Sequence, residues 1–186
     1  MSSHPFTVYN IRYEHSPAAL IASKKIPKLT VAGEEIGPYV ENTQFKVRMW
    51  VAEALIKLGL ARLQPEREPI NLAELHKIHL KETMQTSRRL SGLPENFYPR
   101  LKRFIKVLRE ESYANPAKAA ELQKAVQLSI DILTCRLNKI LLFTSLNSKS
   151  DTIFQNLTPE ERALYERLRG EVEKWQSAVW PLQEDE

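Results

Sequence analysis

The sequence contains little cysteine and little glycine. Of its 186 residues, one is cysteine and five are glycine. The single thiol, Cys135, excludes an internal disulfide and a cysteine-rich zinc site. No glycines have the spacing of a phosphate-binding loop or a dinucleotide-binding turn, so ATP-driven work by this chain is not expected. The stability of the fold must therefore come from packing.

Long apolar runs are also missing. No stretch approaches the roughly 18 apolar residues that a membrane span needs. The first residues lack the basic and then apolar order of a signal peptide. We therefore expect a cytoplasmic protein that has no membrane partner.

Charge is distributed unevenly along the chain. Residues 1–45 carry four Lys or Arg and four Asp or Glu, whereas residues 46–110 carry 14 and seven. Residues 111–186 carry nine and 12, so the three segments have balances of 0, +7 and −3. A balance of +7 is modest beside dedicated DNA-binding domains. We expect DNA to be bound only weakly or indirectly.

The first part of the chain predicts a small strand-rich module. Apolar and aromatic residues at 6–13 predict one strand, and residues 29–36 predict a second with a glycine turn. From Phe45 the apolar spacing becomes that of a helix, which Gly59 is well placed to end. Residues 1–62 are therefore expected to form a few strands and one capping helix.

A polar segment with two prolines, residues 61–70, is the best candidate for a linker. We place the domain boundary after residue 62, and residues 63–186 are predicted to be a helical bundle. The first helix of this bundle is capped by Asn71 and runs to about Arg89. The predicted fold class is mainly α, an α+β protein with the strand-rich domain first.

Three more helices are predicted in the second module. The first is amphipathic, and its apolar stripe consists of Phe97, Leu101, Phe104, Ile105 and Leu108. The longest runs from Pro116 to about Asn147, because no helix breaker lies between them. The last opens with a capping box from Thr158 to Glu161 and is expected to turn Trp175 inward.

The longest helix is apolar on most sides. One apolar row consists of Leu122, Val126, Ile130, Leu133, Leu137 and Ile140, and the other of Leu128, Ile132, Cys135 and Phe143. This pattern is typical of a helix that other helices surround. Arg136 lies beside the first row and Lys139 beside the second, where isolated charges are unfavourable unless paired. We expect both to meet carboxylates across a helix or subunit boundary.

Signals of catalysis or metal binding are weak. His76, His79 and Glu82 follow one another at intervals of three, so one helix face could offer two nitrogens and an oxygen to a metal. A solvated or packed helix face explains the same spacing, and no fourth ligand is indicated. Cys135 lies on an apolar row, which favours an inert thiol over a nucleophile. We assign no catalytic, cofactor-binding or metal-binding residue.

Two other groups of residues suit intermolecular contacts. A basic helix face could contact nucleic-acid phosphates, and it consists of Lys102, Arg103, Lys106 and Arg109. An ordinary solvated face is the plainer interpretation, because charge runs alone are unspecific. Trp175 lies near an apolar stripe, and Trp180, which follows the last helix, could fill a pocket of a partner. An acidic tip follows Trp180.

Several stretches, taken in order, resemble a known family. They are Leu29-Thr-Val-Ala-Gly-Glu-Glu-Ile-Gly-Pro-Tyr39, Val47-Arg-Met-Trp-Val-Ala-Glu-Ala-Leu-Ile-Lys57, Leu93-Pro-Glu-Asn-Phe-Tyr98 and Arg136-Leu-Asn-Lys-Ile140. Over about residues 26–143 the chain resembles archaeal GINS proteins, accessory subunits of replicative helicases, of the type that carries its strand-rich domain first. The resemblance adds Phe97 and Tyr98 to the expected subunit or interhelix contacts, which are otherwise Arg136, Lys139, Trp175 and Trp180.

The resemblance implies a scaffold in DNA replication and not an enzyme. Archaeal members form a two-plus-two heterotetramer with a sister subunit of reversed domain order, and that tetramer joins the MCM helicase to a RecJ-like partner. It also implies association with the nucleoid. The final helix and acidic tail fit the eukaryotic counterparts less well. Two other functions stay open from the residues, a free-standing helical nucleic-acid-binding protein and a small metal enzyme around His76 and His79.

Overall fold

The structure, a computed structural model, describes residues 5–31, 33–64, 70–84, 89–145 and 151–179. The chain divides into two compact units, Met1–Pro69 and Ile70–Glu186. The described residues form no helix that is long and apolar enough to cross a membrane.

The first unit is small and rich in strands. Its elements are α1 (Pro5–Glu14), β1 (Pro17–Ala22), β2 (Leu29–Val31), β3 (Glu34–Ile36), β4 (Gln44–Arg48), α2 (Met49–Lys57) and β5 (Ala61–Leu63). β1 pairs with β4 on one side and with β5 on the other, both antiparallel, while β2 and β3 form a separate hairpin. This hairpin confirms the strand and turn predicted at residues 29–36.

Two elements of this unit differ from the prediction. Residues 6–13 lie in α1 and not in a strand, because Tyr9 and Tyr13 are four apart and share a half-buried helix face. The predicted helix start at Phe45 is also wrong. Residues 44–48 form β4, and α2 begins only at Met49, directly after that strand.

Glycine conformations fix two turns in the first unit. α2 ends at Lys57, and Gly59 follows it with a φ of +66°, as predicted for a helix stop. Gly37 has a φ of +88°, and a Cβ atom at this position would lie 2.7 Å from the carbonyl oxygen of Pro27. Only glycine fits there without displacing the backbone.

The core of the first unit lies between the three-stranded sheet and α2. The strands contribute Ala18, Leu20 and Phe45, and α2 contributes Val51 and Leu55. All five side chains are buried, which leaves the unit with its own apolar core.

The second unit is a helical bundle built around one long helix. Its helices are α3 (Leu72–Thr83), α4 (Phe97–Ser112), α5 (Pro116–Ser145), α6 (Asp151–Asn156) and α7 (Pro159–Val179). α3, α4 and α7 each pack against α5. The order of a strand-rich unit and then a helical bundle confirms the predicted fold class.

The ends of the helices follow the capping chemistry of the sequence. The side chain of Asn71 accepts a hydrogen bond of 2.8 Å from the Glu74 amide at the start of α3, as predicted. This helix ends at Thr83, earlier than the predicted Arg89. The capping box at Thr158 is also present, because the Glu161 carboxylate accepts from the Thr158 amide and the Thr158 hydroxyl accepts from the Glu161 amide.

The expectation that other helices surround α5 is met on only one side by the described helices of this chain. The row with Leu128, Ile132 and Phe143 is buried, whereas three of the six residues of the other row are exposed. Its exposed members are Ile130, Leu133 and Leu137, and Leu141 continues the same face. Of the described residues, α3, α4 and α7 cover one side of α5 and leave this apolar face exposed.

The predicted linker contains structure at its start. Residues 61–63 form β5 and pair with β1, so the boundary proposed after residue 62 falls within a strand. The division between the compact units follows Pro69. Residues 65–69 of the predicted linker lie outside the described residues.

Candidate functional site

The most unusual feature of the helical bundle is a fully buried arginine. Arg136 on α5 is 1% exposed. Its Nε and Nη2 atoms donate to the two carboxylate oxygens of Glu161 on α7, at 2.5 and 2.7 Å. Nη1 donates to Glu82 on α3 at 3.0 Å and to the Ser91 carbonyl at 2.9 Å, and Nη2 also donates to the Asn156 carbonyl at 3.0 Å. The planar fork of arginine suits such multiple contacts.

Glu82 has no exposed surface and is held by two cations. The Lys139 ammonium donates to Glu82 Oε1 at 2.7 Å and to its backbone carbonyl at 2.8 Å. Arg136 and both the hydroxyl and the amide of Ser91 donate to Oε2. Burial alone raises the pKa of this carboxyl, but the hydrogen bonds from Lys139 and Ser91 and the nearby positive charges outweigh burial, so its pKa lies below the ordinary value.

Glu161 has a similar set of partners on the other side of Arg136. The Tyr98 hydroxyl on α4 donates to Glu161 Oε1 in a short hydrogen bond, and the Thr158 amide donates to Oε2 at 3.0 Å. Burial and the adjacent Glu161 charge raise the pKa of Tyr98 well above its usual range. Burial lowers the pKa of Arg136, but Glu161 and Glu82 outweigh it and raise that pKa. Tyr98 is thus a neutral donor beside a charged pair.

Together these groups form a charge-balanced network. We use this name for Glu82, Tyr98, Ser91, Arg136, Lys139 and Glu161. Its two cations and two carboxylates connect three helices, α3, α5 and α7, and Tyr98 adds α4. Burying these charges is favourable only because each has its hydrogen-bonding partners in place. The arrangement fixes the helices relative to one another, and its ionisable groups are all used in internal contacts.

The predicted contact residues fall into two classes. Phe97 is 1% exposed in the core of the bundle, and Tyr98, Arg136 and Lys139 belong to the charge-balanced network. Trp175 is not turned inward as predicted and is 64% exposed. α7 extends past the part of the bundle it packs on, so residues 173–179 are all open to solvent. Trp180 lies outside the described residues.

The predicted basic face lies on α4 and borders a groove. Lys102, Lys106 and Arg109 are exposed, and Arg103 is half-buried. The α4–α5 groove has a volume of about 720 Å³ and is lined by apolar residues of both helices together with the charged residues Lys102, Lys106, Arg109 and Glu110. The basic face therefore adjoins the uncovered apolar face of α5.

His76 and His79, the two histidines of the possible metal site, have no third metal ligand beside them among the described residues. The rings of His76 and His79 contact edge to face, with centroids 6.4 Å apart, and His79 Nε2 lies 3.6 Å from a carboxylate oxygen of Asp131. Glu82 is committed to Lys139 and Arg136. Across the described ranges, no group of three His, Cys, Asp or Glu residues could hold a metal ion.

Cys135 is half-buried, and its thiol lies 3.6 Å from the backbone carbonyl of Glu82. A half-buried thiol in contact with a backbone carbonyl has the setting of a packed side chain.

The sequence did not indicate which carboxylates pair with Arg136 and Lys139. Glu82 was considered as a metal ligand, yet it lies seven residues after the buried Leu75, which places both on the inner face of α3. Glu161 was recognised only as a helix cap. The helical spacing from Leu75 predicts that Glu82 is buried. No local sequence pattern predicts that Glu161 also pairs with Arg136.

Comparisons with known proteins agree with this architecture. Residues 70–179 match the family described as Sld5, GINS complex protein helical bundle domain. A search among curated proteins found no match. The matched residues cover more than half of the chain and contain the whole charge-balanced network. The chain belongs to the GINS family and is a subunit of the GINS complex of DNA replication.

Proposed function

We propose that this chain is a non-catalytic scaffold subunit that links the MCM helicase to a RecJ-like partner and supports helicase activity. In this proposal it pairs with a sister GINS subunit of reversed domain order as a two-plus-two heterotetramer. DNA is contacted weakly or through the other proteins, and the assembly works at the nucleoid. No cofactor or metal takes part.

The uncovered apolar face of α5 carries this proposal. Ile130, Leu133, Leu137 and Leu141 are each between 43% and 51% exposed and recur every three or four residues. They form one stripe that spans about 16 Å along the helix. Contiguous exposed apolar surface of this kind marks a protein interface. In a GINS subunit, the natural occupant of such a face is another subunit of the complex.

The charge-balanced network supports a scaffold role in a second way. It connects α3, α4, α5 and α7 through hydrogen bonds that end inside the bundle. A rigid bundle presents its outer faces in a fixed geometry, which lowers the entropic cost of binding. The charged groups of the same network are buried and engaged in internal contacts, which fits a subunit that has no reaction of its own.

A helicase reconstitution tests the proposal. The chain is co-expressed with the sister subunit, and DNA unwinding by the MCM helicase is measured with and without the purified complex. We expect unwinding to increase, and we expect the complex to retain MCM and the RecJ-like protein on an affinity column. A correctly assembled complex that binds neither protein and leaves unwinding unchanged would overturn the proposal.

A further inference from the structure

The α4–α5 groove has an apolar floor and one basic rim. Leu101, Ile105, Val126 and Leu133 line it, and Ile130 is 51% exposed beside them. Tyr113 stands at one end and is 85% exposed. An apolar channel between two helices is the usual receptor for the apolar side of a third helix.

The basic rim consists of Lys102, Lys106 and Arg109 on α4. These residues are three or four positions apart and therefore share one side of the helix. None of the three forms an ion pair with any residue in the described ranges. A segment that fills the groove would be held best if it carried apolar side chains together with acidic residues.

The exposed end of α7 carries apolar side chains that suit the apolar floor of the groove. Val172 is half-buried, whereas Trp175 and Val179 are 64% and 57% exposed. Their spacing of three and four places all three on one face of the helix. In sequence, residues 180–186 continue with Trp-Pro-Leu-Gln-Glu-Asp-Glu, which adds two apolar residues and three acids. These acids are opposite in charge to the three cations of the rim, which with Glu110 leave the groove lining with a positive balance.

The described part of α7 does not fill the groove of its own chain. Near the start of α7, Glu161 contacts Arg136 of α5. One turn later on α7, Tyr165 packs with Ile140 and Phe143, which lie further towards the C-terminal end of α5. α7 therefore runs away from the groove. Val179 lies about 21 Å beyond Tyr165, and Leu133 lies about 10 Å before Ile140 in the other direction. Measured along the helix axes, Val179 is therefore roughly 31 Å from the nearest part of the groove of its own chain.

We infer that the α4–α5 groove binds the α7 end of a second copy of this chain. Residues 172–179 of that copy lie along the apolar floor, and the acids at 184–186 in its sequence are complementary in charge to Lys102, Lys106 and Arg109. Because the groove and the α7 end are on the same chain, two copies can exchange them around a two-fold axis and close the assembly at two copies. This contact goes beyond the proposed function, because it requires neither the helicase nor the RecJ-like protein.

Disulfide trapping between two copies tests this contact. The only native thiol is removed with Cys135→Ser. One tagged full-length copy then carries Leu133→Cys in the groove, and a differently tagged full-length copy carries Trp175→Cys. After co-expression and mild oxidation, we expect a disulfide-linked pair that contains both tags. Ile130→Cys serves as a second groove position in case the first variant folds poorly.

The matched control for Trp175→Cys is Ser177→Cys. Ser177 is also exposed on α7 but lies on the opposite side of the helix. We expect disulfide formation from position 175 to be at least about tenfold faster than from position 177. Equal rates from the two positions, or the absence of a linked pair with either groove cysteine, would overturn the inference.

A charge-reversal series tests the basic rim in the same trapping experiment. Replacement of Lys102, Lys106 and Arg109 by Glu is expected to lower the initial rate of disulfide formation about tenfold, which corresponds to three exposed ion pairs. The control reverses three exposed lysines elsewhere, Lys46, Lys81 and Lys124, and should leave the rate unchanged. If the rim binds DNA instead, its reversal would abolish retention on DNA and leave the trapping rate unchanged. That result would also contradict the inference.

Discussion

Arg136 on α5 and Glu161 on α7 are joined by two hydrogen bonds, from Nε to Oε1 at 2.5 Å and from Nη2 to Oε2 at 2.7 Å. The same carboxylate accepts from the Thr158 amide at the start of α7. One side chain thus caps its own helix and attaches it to the central helix. This contact helps to hold α7 in the bundle, together with the apolar packing of Tyr165.

We predict that Arg136→Ala strongly destabilises the helical unit. The substitution leaves Glu161 and Glu82 buried with fewer partners, and loss of one member of a buried pair typically costs about 3–5 kcal/mol. The free energy of unfolding in urea measures the effect. Arg136→Lys should restore only part of the stability, because an ammonium cannot donate to all the groups that the fork of arginine reaches.

The matched control for this prediction is Arg169→Ala. Arg169 also pairs with a glutamate, Glu173 at 2.7 Å, but this glutamate is 55% exposed and does not become a buried unpaired charge when Arg169 is removed. Loss of this pair should leave the unfolding transition where it is in the parent protein. If Arg136→Ala also left the transition unchanged, Arg136 would not be the structural centre of the bundle.

Glu82 predicts a specific dependence of stability on pH. Its folded-state pKa lies below the ordinary value of 4.5, so the charged form favours folding. This contribution is fully present above the unfolded-state pKa and is lost as the pH falls through the folded-state pKa. Between about pH 5 and pH 3, the unfolding free energy of the parent should therefore fall more steeply than that of Glu82→Gln. Parallel curves for the two proteins would contradict this assignment.

Tyr98 predicts the opposite behaviour in alkali. Its pKa is raised in the folded state, so its contribution is present below the ordinary pKa and is lost as the pH rises towards the folded-state value. Tyr98→Phe removes a hydrogen bond to a charged acceptor and should cost about 1.5–3 kcal/mol at neutral pH. Thermal unfolding from neutral pH to above pH 10 tests this, because only the parent should lose stability through this residue.

The sequence predicted the bundle better than the contacts inside it. α4 and α7 were identified because helical spacing and a capping box are local signals. The charge-balanced network joins Glu82, Arg136 and Glu161, which are up to 79 residues apart, so no local pattern connects them. Helical phase placed Arg136 beside an apolar row, but only the fold identifies its partners.

The strand-rich unit was harder to predict for local reasons. β1, residues Pro17–Ala22, contains small and aliphatic residues without strict alternation and is mostly buried. Such a short apolar run does not distinguish a strand from a helix. β4 continues into α2 without a glycine or proline between them, so the helical pattern seemed to begin at Phe45. The exposed row of α5 was expected to be covered, because sequence alone does not separate a buried face from an uncovered interface.

We predict that the two histidines of α3 can be removed without loss of fold. His79 faces Asp131, and His76 contacts His79, but neither belongs to the charge-balanced network. The double variant His76→Ala, His79→Ala should change the unfolding free energy by no more than about 1 kcal/mol. Elemental analysis of the parent should find no stoichiometric metal. One tightly held metal per chain, lost in the double variant, would contradict the non-catalytic assignment.

The uncovered face of α5 predicts a variant that assembles poorly but still folds. Leu137 is 43% exposed in this chain, so Leu137→Lys should change its unfolding free energy by no more than about 0.5 kcal/mol. The same lysine would place a charge in an apolar interface and should reduce the recovery of the complex. Asn138→Lys introduces the same charge at the neighbouring exposed position, away from the centre of the stripe, and serves as the control. Equal recovery of both variants would show that this face is not an interface.

The most direct test of the scaffold assignment is the mass of the purified assembly. The chain is expressed alone and together with the sister GINS subunit, and native mass spectrometry determines the composition of each sample. We expect the chain alone to self-associate or aggregate, because its apolar faces are uncovered, and the co-expressed sample to contain two copies of each subunit. A single chain that stays monomeric and does not bind the sister subunit would contradict the account.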